Sequence, residues 1–170
     1  MKTGLAYGVV VVLAAVAGLA TGQDMRPPAP LAELHLGPGE NLPAIDLALI
    51  QGATRSIDML AYVLGDREIV RALVAARHRG VAVRLVIDNS EFPSDQLDGL
   101  LDVTRVKRGN ELMHEKAMAV DGAVLRTGSE NFTYAARYQT NDLVVIRDSA
   151  LVAKFEKMFE ELFAASEAAE

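Results

Sequence analysis

Residues 56–88 restrict the fold of this chain more than any other stretch. Residues 56–62 read as a strand, Gly65-Asp66 interrupts it, and Asp66 is a suitable helix cap. Ile69, Val70, Leu73, Val74 and Ala76 then recur at helical spacing up to Arg79-Gly80. Residues 81–87, apolar except for Arg84, have the pattern of a buried strand. A strand, a helix and a strand in that order make a βαβ unit, whose strands lie parallel through a right-handed crossover. The expected fold class is therefore α/β: a mixed, largely parallel β-sheet flanked by helices on both faces, one domain per chain.

The chemistry concentrates further along, at residues 113–131. Residues 117–120 and 123–127 are two β-prone runs separated by Asp121-Gly122, a strong two-residue hairpin signal. If the first strand begins near Met113, then His114, Lys116 and Met118 share one face. A base and a cation thus project together. Gly128-Ser129-Glu130-Asn131 follows, then residues 132–137, which suit a short helix. Small and amide side chains with free backbone N–H groups at such a turn are what an anion site requires.

The order His-x-Lys, four residues, Asp, six residues, Gly-Ser-x-Asn resembles the signature of the phospholipase D superfamily. His114, Lys116, Asp121, Gly128, Ser129 and Asn131 fill its fixed positions. The resemblance implies that His114 attacks phosphorus to form a phosphohistidine and that a second copy's histidine protonates the leaving group. It also implies that Lys116, Ser129 and Asn131 bind the phosphate oxygens, with no metal and no other cofactor. A histidine suits both roles, and fixed cationic and amide donors stabilise charge developing on phosphoryl oxygens. Asp121 belongs to the signature and is counted with the catalytic residues, although ordering the hairpin turn is an equally good physical reading. The superfamily's Arg-Gly-Val, strand, Asp pattern is similar to Arg79-Gly80-Val81 running to Asp88, so the resemblance covers most of the chain.

One position departs from the pattern. Family members place a glutamate at the start of the last strand, where it hydrogen-bonds the catalytic histidine. Counting back from Val144-Val145-Ile146, the matching residue is Asn141, with Asp142 beside it. Successive strand residues face opposite ways, so only one of the two is expected to support His114. A second consequence is numerical: the two-step chemistry uses two histidines, and this sequence contains one copy of the signature. A homodimer sharing one active site about a two-fold axis is expected.

The remaining segments frame that site. Residues 31–36 suit a first strand, 41–51 a helix with Pro43 in its first turn, 104–107 and 142–146 strands, and 149–164 a closing amphipathic helix. Phe92-Pro93-Ser94 is expected to open a short helix to Leu101. His35 reads as an ordinary strand histidine, and Arg77, His78 and Arg79 as complements to a helix C-terminus. Asp88 and Asn89 lie where α/β ligand sites gather, and Lys107, Arg108 and Asn110 are candidates for a basic lip over the cleft.

Residues 1–22, with Lys2 ahead of an apolar run and small residues before Gln23, read as a secretory signal peptide. An uncleaved anchor is the alternative, and the expected location is periplasmic or secreted. Residues 23–30, carrying Pro27, Pro28 and Pro30, read as a linker, 31–165 as the catalytic domain, and 166–170 as a tail. The absence of cysteine excludes disulfides and thiolate metal sites. Removing the signal leaves 16 basic residues against 23 acidic, a poor balance for non-specific gripping of a polyanion. The small exported members of the superfamily nonetheless suggest a non-specific endonuclease on DNA or RNA, with phospholipid head groups as the alternative substrate. A non-catalytic phosphate-binding module is a third possibility, raised by Asn141.

Overall fold

A computed structural model describes residues 30–169 of the chain. The expected signal peptide and all but the last residue of the expected linker lie outside that range. Eight strands form one sheet: β1 Ala32–Leu36, β2 Ser56–Ala61, β3 Ala82–Asp88, β4 Thr104–Lys107, β5 Lys116–Val120, β6 Val124–Gly128, β7 Asp142–Ile146 and β8 Glu167–Ala168. Three α-helices accompany them: α1 Leu42–Gly52, α2 Arg67–His78 and α3 Ser149–Ala165.

The strand order is β1-β7-β6-β5-β2-β3-β4-β8. The βαβ unit is present, with β2 parallel to β3 and α2 as the crossover. Parallel pairing is confined to β2-β3-β4, and every other neighbour is antiparallel, so the sheet is mixed but less parallel than the βαβ unit alone suggests. Glu167–Ala168, read as tail from the sequence, adds a short edge strand against β4.

Two apolar layers hold the sheet. On one face Ile57, Met59, Leu85, Ile87 and Met118 pack with Ile50 of α1 and Ile69 and Leu73 of α2. On the other, Leu60, Val86, Ala117, Ala119 and Leu125 meet Val152, Phe155 and Phe159, one stripe of α3. Each fully buried Leu, Ile or Phe contributes about 1.5–3 kcal/mol to holding the layers together. α2 starts at the cap read from sequence, Asp66, which accepts from the Glu68 N–H at 2.8 Å, and α3 is capped in the same way by Asp148, which accepts from the Ala150 and Leu151 N–H groups.

The helix expected from Phe92 to Leu101 does not form. Two 3₁₀ turns, Ser94–Gln96 and Leu101–Val103, stand there instead, because Pro93 and Gly99 (φ +80°) interrupt it. Leu97 and Leu100 are buried from this irregular path. The segment after Asn131 likewise forms a 3₁₀ turn, Tyr134–Tyr138.

Strand direction decides where the site lies. β1, β2, β3, β4 and β6 finish at one end of the sheet, and β5 and β7 begin there. The register brings Leu36 opposite Asp142, Ala61 opposite Lys116 and Ile87, Asp88 opposite Lys107, and Gly128 opposite Leu143. All motif residues except Asp121 therefore gather at a single end.

Candidate active site

His114 stands just ahead of β5, which begins at Lys116 and not near Met113. The approach is nevertheless held extended. The Tyr62 N–H donates to the Glu115 carbonyl at 2.7 Å, and the Met113 N–H donates to the buried Asp88 carboxylate at 2.7 Å. Met113 itself is buried on the α3 side, which leaves His114 exposed between two anchored neighbours. Burial alone would raise the Asp88 pKa, but the Ser90 hydroxyl and the N–H groups of Ser90 and Met113, with Lys107 nearby, hold it below the usual carboxylate value. An ionised Asp88 thus fixes the approach to the histidine. Its place at the end of β3 was visible in the sequence; its partner, 25 residues on, was not.

Lys116 is buried, and its Nζ donates to the His114 carbonyl at 2.8 Å while lying 3.2 Å from the ring Nδ1. Burial lowers its pKa, against a weaker opposite pull from Glu115. Two of its three donors point to His114, and the third has no hydrogen-bond partner among the described residues. Tyr62, which the sequence reading left out of the site, completes this group. Its ring centre is 4.4 Å from that of His114, and Lys116 Nζ is 4.9 Å from the Tyr62 ring centre. An aromatic just past the C-terminal end of β2 was the signal that could have found it.

The neighbouring strand brings the second half. Gly128 has φ +151°, and a Cβ there would collide with the Asp142 carbonyl and lie 2.9 Å from the Leu143 Cα. Only glycine lets the chain wrap the start of β7 so closely. Ser129 and Glu130 then donate their N–H groups to the Asp142 carbonyl, and the Asp142 N–H donates to Ser129 Oγ at 2.9 Å. The Asn131 Oδ1 is buried and lacks a hydrogen-bond partner among the described residues.

Three further signature or supporting residues make contacts of their own. Asn141 and Asp142 were expected to offer a partner to His114, and the described hydrogen bonds of both go elsewhere. Asn141 Oδ1 accepts from Ser129 Oγ at 3.4 Å, its Nδ2 donates to the Ala136 carbonyl and Gln139 Oε1, and Asp142 acts through its backbone. They shape the Ser129 loop. Asp121, counted with the catalytic residues, lies at the other end of β5, in a turn where it has φ +57° and Gly122 φ +60°. Its carboxylate accepts the backbone N–H groups of Thr54, Arg55 and Ser56 and the Thr54 hydroxyl. Partial burial would raise its pKa, but these donors, led by the Ser56 and Arg55 N–H groups, bring it down to about 2. Asp121 ties the hairpin turn to the start of β2.

The candidate basic lip is also committed elsewhere. Lys107 donates to the Arg108 and Glu111 carbonyls, while Arg108 pairs with Glu167 at 2.5 Å and reaches Asn89 at 2.9 Å. Away from the site, His35 pairs with Glu40, Arg77 with Asp102, and Arg79 donates to carbonyls at the end of α1, not of its own helix. A cavity of about 480 Å³ between α2 and residues 95–98 contains none of the motif residues.

Comparison with known proteins follows the same lines. Residues 47–163, more than half of the chain, match the family described as cardiolipin synthase, PLD-like domain. The chain belongs to the phospholipase D-like family. It is 31% identical over 123 residues to the mitochondrial cardiolipin hydrolase of Xenopus laevis, covering 69% of this chain and 59% of that protein. With the phospholipase D of Rickettsia conorii it shares 32% over 113 residues, 62% of this chain and 56% of the relative. The chain thus spans less than two thirds of the length of these relatives. Among solved structures it is similar to Nuc, a phospholipase D family member from Salmonella typhimurium, with a TM-score of 0.72 and 28% identity over 80% of this chain and 95% of that one. NucT from Helicobacter pylori shares the fold at a TM-score of 0.70 and 22% identity, over 81% and 98% of the two chains.

Proposed function

We propose that this phospholipase D-like chain is a metal-independent phosphodiesterase with His114 as its nucleophile. The observation that carries the reading is the contact of His114 with buried Lys116 at the sheet end where the Ser129–Asn131 loop also arrives. In the first step an imidazole nitrogen bonds to phosphorus and the bond to the leaving alcohol oxygen breaks. A second copy's His114 supplies the proton to that oxygen. Water then attacks the phosphohistidine, gives its proton to the same second histidine, and releases the phosphate monoester. Lys116 and the amide and hydroxyl of Asn131 and Ser129 offset charge on the phosphoryl oxygens throughout.

Each chain carries one such histidine, so the reading includes a two-fold dimer. It is supported by an apolar surface on the α3 side of the sheet, where Leu34, Leu36 and Leu151 are exposed. Leu151 also lines a cavity of about 270 Å³ together with Glu115, Leu125, Ile146, Phe155 and Met158. Glu115 follows the nucleophile directly. The export proposed from residues 1–22 belongs to the same reading, and no described helix is long and apolar enough to cross a membrane.

For substrate we favour nucleic acid. Tyr134 and Tyr138 are 58% and 72% exposed beyond Asn131, and Arg137 lies 4.1 Å over the Tyr134 ring, a surface on which bases can stack. Phospholipid is the second reading, favoured by Leu112, 61% exposed and two residues from His114. Hydrolysis of DNA, RNA and cardiolipin or phosphatidylcholine vesicles in excess EDTA, by the wild type and His114→Ala, tests both. Nucleic-acid turnover in chelator that vanishes in the variant is expected. Vesicle turnover alone transfers the chain to the second reading. Phosphate-ester binding without turnover of any substrate would reduce it to a binding module.

A further inference from the structure

Arg126 is fully buried and stands outside the motif. Removing a guanidinium from water is costly unless every donor is used. Here Nε and Nη2 donate to the two oxygens of Asp46 on α1 at 2.6 and 2.8 Å, a bidentate pair that fixes the plane of the group. Nη1 then donates to the carbonyl of Lys116 at 2.8 Å and to that of Glu130 at 3.2 Å. Phe132 closes the other side, its ring centre 4.5 Å from the guanidinium carbon. One rigid plane thus spans the backbone of Lys116 and the backbone of the residue between Ser129 and Asn131. An aliphatic side chain would fill the same volume without the desolvation cost, but it would leave the two carbonyls unlinked.

Glu130 is the variable member of this cluster. It is 1% exposed, its Oε2 accepts from Arg126 Nη2 at 3.2 Å, and its Oε1 has no hydrogen-bond partner among the described residues. The charged groups facing it are Asp46 from α1, Arg126 from β6, Arg137 from the 134–138 turn and Asp66 at the start of α2. We infer that Arg126 is a positioning residue for phosphodiester cleavage, setting Lys116 against Ser129 and Asn131, and that Glu130 is an ionisable latch on that geometry. The inference rests on the phosphodiesterase reading above.

The direction of the latch follows from charge. Burial first, and then the charge of Asp46, raise the Glu130 pKa to about 7 against the pull of Arg126 and Arg137. With Glu130 protonated, Asp46 and Arg126 balance one another. Ionisation adds an uncompensated negative charge between the two phosphate-binding residues, and a cavity of about 330 Å³ bordered by Glu130, Asn41, Arg137 and Gln139 gives that carboxylate room to turn away from the guanidinium. Both effects weaken phosphate binding as pH rises through 7.

The test uses bis(4-nitrophenyl) phosphate turnover in EDTA, with inorganic phosphate as competitive inhibitor, from pH 5.5 to 9. Glu130→Gln keeps the neutral shape of the side chain. It is expected to retain wild-type KM and phosphate Ki at pH 6 and to abolish a rise of about threefold or more in both above pH 7. Arg126→Lys keeps the charge but cannot span Asp46 and two carbonyls, and it is expected to lower kcat at least tenfold with an unchanged circular dichroism spectrum. A wild-type pH profile that Glu130→Gln leaves unaltered would overturn the latch. Arg126→Lys that folds and keeps kcat within threefold would overturn the positioning role. If Arg126→Lys does not fold, Asp46→Asn, which loosens the guanidinium plane, takes its place under the same kcat criterion, and Glu130→Gln still decides the latch. Wild type inert toward this ester and toward the substrates above removes the phosphodiesterase reading itself, and with it this inference.

Discussion

Asp121 belongs to the signature of a catalytic motif yet lies a full strand away from His114, so its replacement separates stability from chemistry. Asp121→Asn is the cleanest perturbation, because asparagine tolerates the positive φ of +57° and keeps one oxygen for the Arg55 and Ser56 N–H groups, while the charge and the acceptor facing the Thr54 hydroxyl are lost. The charge is held by the N–H groups of Ser56, Arg55 and Thr54 and by the Thr54 hydroxyl, and these lower the pKa from 3.8 to about 2. At about 1.4 kcal/mol per unit that preference is worth about 2 kcal/mol, and solvent around the exposed Thr54 and Arg55 reduces it to roughly 1–2 kcal/mol. Because the folded-state pKa is depressed, this stability is fully present above the unfolded value of 3.8 and disappears as pH falls toward 2. Urea denaturation at pH 7 should therefore show the variant less stable by that amount, with Tm lower by roughly 3–8 °C. The gap should close between pH 4 and 2. Turnover at 25 °C and pH 7, where both proteins are folded, should agree within about twofold. A tenfold fall in kcat with unchanged stability would refute this reasoning and return Asp121 to the catalytic group.

Gly128→Ala should remove activity and destabilise the fold by about 2 kcal/mol or more, because its Cβ meets the β7 backbone at Asp142 and Leu143. Thermal denaturation beside bis(4-nitrophenyl) phosphate turnover checks it, and a stable, active variant would contradict the close approach. Tyr62→Phe keeps the ring over His114 and Lys116 and should hold kcat/KM within about threefold, whereas Tyr62→Ala should lower it about tenfold or more. Equal activity in the two variants would show that the aromatic plane plays no part.

Much of this site was readable before the structure because its signals are local. Asp121-Gly122 marks a hairpin, strand alternation puts His114 and Lys116 on one face, and the small residues of Gly128-Ser129 announce a tight turn. What escaped depends on pairs distant in sequence. Arg126 alternates with Leu125 and Thr127 and so reads as a solvent-facing strand residue; its burial depends on Asp46, 80 residues earlier on another element. The link from Asp88 to Met113 escaped for the same reason. The supposed helix at 92–101 shows the opposite failure. Leu97 and Leu100 are three residues apart, as on one helix face, but they are buried from irregular backbone, and Pro93 and Gly99 decide the local conformation.

The two ends of the sheet differ in what can be exchanged. At the His114 end, each connection leaves the sheet between residues pinned by ladder pairs such as Leu36 with Asp142, Ala61 with Lys116 and Asp88 with Lys107. Lengthening a loop whose ends are already fixed costs little, only about 0.6 kcal/mol for each doubling. Residues 109–112, exposed except where Lys107 meets the Glu111 carbonyl, are thus a natural graft point, where a new recognition loop can be installed while Arg126, Asp88 and Asp121 keep the scaffold in register.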